Sequence, residues 1–132
     1  MNVFIDTSAI IAVLDAGESN HDVADRIWQT LLDGSDQLLT TNYVLSESSA
    51  LIQRRLGMEA IHVLFGSMAP VFQAIWLDAE LHWQAVQSLL AANRRALSLV
   101  DCTSFLAMRR LNIAYAFAFD QHFDQQGFIC LR

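Results

Sequence analysis

Val3-Phe4-Ile5-Asp6-Thr7-Ser8-Ala9-Ile10-Ile11 begins in one period and ends in another, and this change decides how the rest of the chain reads. The apolar run Val3 to Ile5 suits a strand buried on both faces, whereas Ala9, Ile10, Val13 and Leu14 repeat at helical spacing from residue 7 onward. A strand that passes directly into a helix is the first half of a strand-helix-strand unit with a parallel return. Asp6 sits at the joint.

The same alternation continues downstream. Gly17-Glu18-Ser19-Asn20 reads as a loop, with Asn20 capping a helix to about Leu32 that shows Val23, Ile27, Trp28, Leu31 and Leu32 on one face. Gly34-Ser35-Asp36 ends it. A strand is predicted over 38–41, a helix from about Tyr43 to Leu56 that stops at Gly57, and a further helix over about 58–65. Pro70 introduces a strand over 71–77, Asp78 caps a helix to about Ala92, and another helix runs from about Ser98 to Leu111. Strands follow at 115–119 and 128–131. The pattern predicts a single three-layer α/β domain over 1–132, with a parallel sheet of four to five strands flanked by helices.

Composition narrows the function. With 132 residues, 54% hydrophobic and 17% charged, the chain has the apolar material for a core and lacks the low-complexity tracts of a disordered segment. All 8 basic residues are arginines, so Walker A and Schiff-base chemistry, which need lysine, are excluded. A formal net charge of -6 argues against a protein that coats DNA, and no direct DNA binding by this chain alone is expected. The first residues lack a basic region ahead of an apolar run, so neither signal peptide nor anchor is read there. The uncharged stretch Ala60–Leu77 is broken by Gly66-Ser67-Met68-Ala69-Pro70, which speaks against a membrane span. Cys102 and Cys130 lie in apolar surroundings without metal-type spacing and read as reduced thiols of a cytoplasmic protein.

Four acids fall where charge is expensive. Asp6 follows Val3-Phe4-Ile5, Glu47 lies between Val44-Leu45 and Leu51-Ile52, Asp101 follows Leu97 to Val100, and Asp120 follows the predicted fourth strand. Each has a structural explanation: Asp6 and Asp120 as caps, Asp101 within the capping-box pattern Ser98-Leu99-Val100-Asp101, and Glu47 on the exposed side of an amphipathic helix. Taken together, they fit the ligand-binding edge of a parallel sheet, where clustered carboxylates repel unless a cation joins them. An oxygen-only donor set suits Mg²⁺ or Mn²⁺ better than zinc. Such an ion polarises a phosphodiester and activates water, so metal-dependent phosphodiester hydrolysis is the implied chemistry.

Val3-Phe4-Ile5-Asp6-Thr7-Ser8-Ala9, Glu47 within Thr41 to Leu51, Leu99-Val100-Asp101-Cys102-Thr103, and Phe119-Asp120-Gln121-His122-Phe123 with Gly127-Phe128 resemble the four signature blocks of PIN domains. Order and spacing match over essentially the whole chain, most closely in the manner of small VapC-type toxins. The resemblance implies an Mg²⁺- or Mn²⁺-dependent endoribonuclease acting on RNA, commonly a homodimer, and often the toxin of a type II toxin-antitoxin pair neutralised by a cognate antitoxin. It makes Asp6, Asp101 and Asp120 metal ligands. Glu47 orients the attacking water or ligates through water, and Thr7 or Ser8 offers a hydroxyl to the ion's outer shell or the scissile phosphate. Family members often carry Thr or Ser where this chain has Ala118, which leaves one supporting hydrogen bond unassigned.

Other residues were weighed beside these. Asp124 lies one helical turn beyond Asp120 and is a candidate additional acid, against a solvated surface position. His122 reads as a surface or locally bonded histidine in preference to a general base. Of three arginine pairs, Arg94-Arg95 before Asp101 is the preferred phosphate contact, with a solvated helix face as the alternative. Trp28, Trp76, Trp83 and Phe72 read as core or dimer-interface residues. Two other functions stay open: a catalytically silent PIN-like module that binds RNA or protein, and a dehalogenase-type phosphotransferase. The latter wants an acid where Ser8 stands and a lysine that is absent.

Overall fold

The computed structural model describes residues 1–132. Its strands are β1 (Asn2–Ile5), β2 (Gln37–Thr41), β3 (Gln73–Ile75), β4 (Tyr115–Phe117) and β5 (Ile129–Leu131). All pairings are parallel, in the order β3-β2-β1-β4-β5. The helices are α1 (Thr7–Leu14), α2 (His21–Asp33), α3 (Asn42–Leu56), α4 (Met58–Val63), α5 (Ala79–Ala92), α6 (Leu99–Arg110) and the single turn α7 (His122–Gln125). No helix is long and apolar enough to cross a membrane.

β1 is the central strand, and Val3, Phe4 and Ile5 are all fully buried although successive side chains point to opposite faces. Helices therefore cover both faces of the sheet, as a continuous apolar strand requires. Each such side chain contributes about 1.5–3 kcal/mol by leaving water. Around Phe4 an aromatic group closes: Phe123 of α7 lies 6.4 Å from Phe4 and 5.0 Å from Phe105 of α6, ring centre to ring centre. That contact fixes α6 and α7 against the central strand, which matters below because both carry site residues.

The structure moves several predicted boundaries. The fourth strand stops at Phe117, not residue 119, because the Phe119 amide donates to Ser8 Oγ at 2.9 Å and leaves the ladder. Asp120 accordingly lies in a loop beyond the strand. The third strand covers only 73–75: a tight turn at Ala69–Val71 delays its start, and the Leu77 amide is captured by Asn42 Oδ1 at 2.9 Å. The helix predicted over 58–65 runs from α4 into a π-helical turn, Leu64–Met68, whose first and last side chains both reach the core. Asn20 makes no side-chain cap bond to α2; the adjacent His21 instead places Nδ1 2.7 Å from the Ala12 carbonyl oxygen. Trp28 is buried edge-on against Phe72 as expected of core, whereas Trp76 and Trp83 are 78% and 62% exposed. The buried positions of α5 are Leu81 and Ala85, which turns residue 83 to the far side, and Trp76 lies past the end of its strand.

Ser98 and Asp101 form a reciprocal capping box at the start of α6. The Asp101 amide donates to Ser98 Oγ at 3.0 Å, and the Ser98 amide donates to Asp101 Oδ2 at 3.1 Å. Replacing Ser98 by Ala should lower stability by about 1 kcal/mol, and replacing it by Gly by only a few tenths. Urea melts of the two variants check this; equal losses would show that the hydroxyl does not cap.

Candidate metal centre

Asp6 leaves β1 and caps α1, with its Oδ2 accepting from the Ser8 amide at 3.1 Å and from Ser8 Oγ at 2.6 Å. Asp101 enters from the first turn of α6, its Oδ2 held by the Ser98 amide. Asp120 lies just before α7, with Oδ1 accepting from the His122 amide at 2.9 Å. All three are the helix-end carboxylates that local structure calls for. Yet in each, one oxygen is tied to backbone and the other carries no hydrogen bond.

These carboxylates belong together. The side chains of Asp101, Asp120 and His122 offer ligand atoms within 4.8 Å of one another. Ser8 links Asp6 to this group, because the hydroxyl that donates to Asp6 also accepts from the Phe119 amide, next to Asp120. No arginine forms an ion pair with Asp6, Asp101 or Asp120. Burial first, and then the charges of Asp101 and Asp120, push the Asp6 carboxyl up to about 7 against the two Ser8 bonds. Asp101 is also raised, chiefly by burial and further by the charge of Asp120. An oxygen-rich, negatively charged pocket with no arginine paired to its acids fits a hard divalent ion, and the free oxygens of the three carboxylates would be its ligands.

Other predicted residues fall around this centre. Glu47 is half-buried on α3 and lines a cleft of about 410 Å³ with Asn42, Tyr43 and Val100, the last adjacent to Asp101. Thr7 is buried, and its hydroxyl accepts from Ser48 Oγ at 3.2 Å in the contact between α1 and α3. Ala118 is fully buried; the bonds near the fourth acid come from Ser8 and His122 instead. Arg94 and Arg95 are exposed in the link before α6, and Arg94 donates to Gln125 Oε1 at 3.3 Å. Asp124 is at the surface and paired with Arg132, outside the acidic group.

Two residues gain importance that their sequence context did not assign. His122 is buried, not at the surface, with Nδ1 2.8 Å from Asp120 Oδ1 and 3.9 Å from Asp101 Oδ2. The local signal was its place two residues after an acid that caps a turn. Arg55 borders a cleft of about 260 Å³ that also contains Ser8 and Asp120, and it is held there by Glu18 Oε1 at 2.7 Å. Its membership of an arginine pair was legible, but the fold alone shows which pair adjoins the acids. The largest cavity, about 630 Å³ and bordered by Met1, Ile27 and Leu31, contains none of the four carboxylates.

The carboxyl shifts set a pH dependence. Asp6 rises from an ordinary 3.8 to about 7, so between these values the native state holds a proton that the unfolded chain has released. Stability of the metal-free protein from this source is full below about pH 4 and is lost as pH rises through about 7; Asp101 acts in the same direction. Thermal melts in chelator should show Tm falling from about pH 5 to about pH 7. Excess Mg²⁺ should raise Tm more at the higher pH, because the ion requires ionised carboxylates. A Tm in chelator that climbs over this interval would contradict the assignment.

Comparison with known proteins agrees with the geometry. The family model described as PIN domain matches residues 3–129. The 23S rRNA-specific endonuclease VapC20 of Mycobacterium tuberculosis is 34% identical over 131 residues, covering 98% of both chains. The crystal structure of that protein, described as a sarcin-ricin loop cleaving toxin, superposes with a TM-score of 0.85 over 96% of each chain at 34% identity. FitAcB from Neisseria gonorrhoeae shares the fold at 13% identity, with a TM-score of 0.70 over 98% of this chain and 96% of that one. VapBC2 from Rickettsia felis, solved on a promoter DNA fragment, shares it at 12% identity, with a TM-score of 0.71 over 98% and 97%. A family model spanning nearly the whole sequence and a relative alike from end to end place this chain in the PIN-domain family.

Proposed function

We propose that this chain is a cytoplasmic Mg²⁺- or Mn²⁺-dependent endoribonuclease, the toxin of a type II toxin-antitoxin pair, and that it cuts a structured RNA of the sarcin-ricin-loop kind in 23S rRNA. One observation carries the reading: Asp101 and Asp120 gather with His122, Ser8 ties Asp6 to them, and each of the three carboxylates has one oxygen held by backbone and one free, with no arginine paired to any of them. The likeness to VapC20 supplies the substrate class.

A bound divalent cation would polarise the scissile phosphate and lower the pKa of a water molecule. Asp6, Asp101 and Asp120 would hold that ion through their free oxygens. Glu47 lies on the wall of the cleft that reaches Val100, next to Asp101, where its carboxylate would accept a hydrogen bond from the attacking water and orient it. Ser8 keeps Asp6 and the Asp120 loop in fixed relation, while Arg55, with Arg94 and Arg95 further out, meets phosphates of the RNA backbone. With a net charge of -6, metal-free RNA binding is weak, and activity falls as salt screens the arginines.

The antitoxin partner is supported by the Fit and Vap complexes among the similar structures. A basic segment of such a protein would place arginine or lysine against the carboxylates and compete with the ion. A homodimer is the expected assembly, for which the exposed indoles of Trp76 and Trp83 offer apolar surface. Retention of all four acids favours an active enzyme over a silent module.

Asp101→Asn separates a metal ligand from a helix cap. In chelator the variant should melt at or above wild type, because one repelling charge is gone, and it should gain much less from Mg²⁺, whose stabilisation follows RT ln(1 + [L]/Kd). Cleavage of a sarcin-ricin-loop hairpin should fall by at least about 100-fold. A variant that melts lower in chelator, responds to Mg²⁺ as wild type does and still cuts the hairpin would return Asp101 to a purely structural role. A wild-type protein that cuts equally well without metal would remove the metal-dependent reading altogether.

A further inference from the structure

Only two fully buried side-chain polar atoms lack a hydrogen-bond partner, Ser104 Oγ and His122 Nδ1. The second is directed at the acidic group, close to Asp120 Oδ1 and Asp101 Oδ2 but without the N–H···O alignment of a hydrogen bond. His122 is 6% exposed, and its ring is carried on α7 beside Phe123, which the core holds against Phe4 and Phe105. A buried imidazole nitrogen left without a partner is destabilising. A cation would be that partner.

The geometry points to His122 as a nitrogen ligand of the ion held by Asp101 and Asp120, which makes the centre a mixed nitrogen and oxygen site preferring Mn²⁺ to Mg²⁺. The inference rests on the reading above that these carboxylates bind a divalent cation. Nδ1 lies 2.8 Å from Asp120 Oδ1 and 3.9 Å from Asp101 Oδ2, the backbone-held oxygens, and ligand atoms of the three residues lie within 4.8 Å of one another, a grouping that one ion can gather. The same residue serves twice, since its backbone amide orients Asp120 while its ring faces the ion's place. Imidazole suits first-row transition ions, whereas Mg²⁺ keeps to oxygen, so this one side chain biases the choice of metal. Nδ1 ligates through its lone pair, with the ring hydrogen on Nε2.

Pulsed electron paramagnetic resonance of the Mn²⁺-loaded protein tests this directly. Electron spin-echo modulation should show one directly bound ¹⁴N, which changes to the ¹⁵N pattern when the protein is made with ¹⁵N-histidine and disappears in His122→Asn. In that variant the ratio of Mg²⁺ to Mn²⁺ dissociation constants should fall by about tenfold. Bound Mn²⁺ showing no nitrogen coupling would overturn the inference and leave the oxygen-ligated centre standing. Mn²⁺ that binds no more weakly to Asp101→Asn than to wild type would remove both. If His122→Asn does not fold, the labelled and unlabelled wild-type proteins decide the question between them.

Discussion

Burial of Asp6 and Asp101 beside Asp120, with one another's charge as a further cost, is the constraint on which the rest of this molecule turns. Burial first, and then the charge of neighbouring acids, makes Asp6 and Asp101 resist ionisation, and no arginine pairs with them. The fold therefore holds a strained electrostatic arrangement in place with interactions from elsewhere. Backbone amides hold one oxygen of each carboxylate and leave the other free, so a residue's local role at the start of a helix or turn is compatible with the proposed role as ligand. A helix N-terminus favours a negative charge, so the starts of α1 and α6 lower the cost of Asp6 and Asp101 without neutralising them.

What keeps the three ends together is the core beneath them. β1 is buried on both faces and delivers Asp6; the rings of Phe4, Phe105 and Phe123 join that strand to α6 and α7, which carry or adjoin Asp101 and Asp120. Ser8 then closes the arrangement from above, donating to one carboxylate and accepting from the chain that leads to another. The aromatic packing and the Ser8 bridge act at different levels. The first sets the positions of whole elements, and the second ties the Asp6 carboxylate to the chain that leads to Asp120.

Much of this was legible in the sequence, and the reasons for the exceptions are specific. The shift from Val3-Phe4-Ile5 to a helical period identified the central strand and placed Asp6, because local periodicity is enough to recognise a buried parallel strand followed by a helix. The Ser98-to-Asp101 spacing likewise contained the whole capping box. Strand ends were less visible: the fourth and third strands are cut short by Ser8 and Asn42, residues distant in sequence that capture the next free amide. Trp76 and Trp83 read as core or dimer-interface residues, and they are exposed because neighbouring positions take the buried face. His122 and Arg55 were both visible as residue types. Their relation to the acids depends on the packing of α7 and α3, which no spacing rule contains.

The central claim is that three carboxylates, each half engaged by backbone, share one divalent ion through their remaining oxygens. An anomalous difference map from crystals grown with Mn²⁺ tests it most directly. The account predicts a single strong peak within bonding distance of Asp6, Asp101 and Asp120, on the oxygens that carry no backbone hydrogen bond. A peak elsewhere on the molecule, or none at full Mn²⁺ with the carboxylates joined to one another by shared protons, would contradict it.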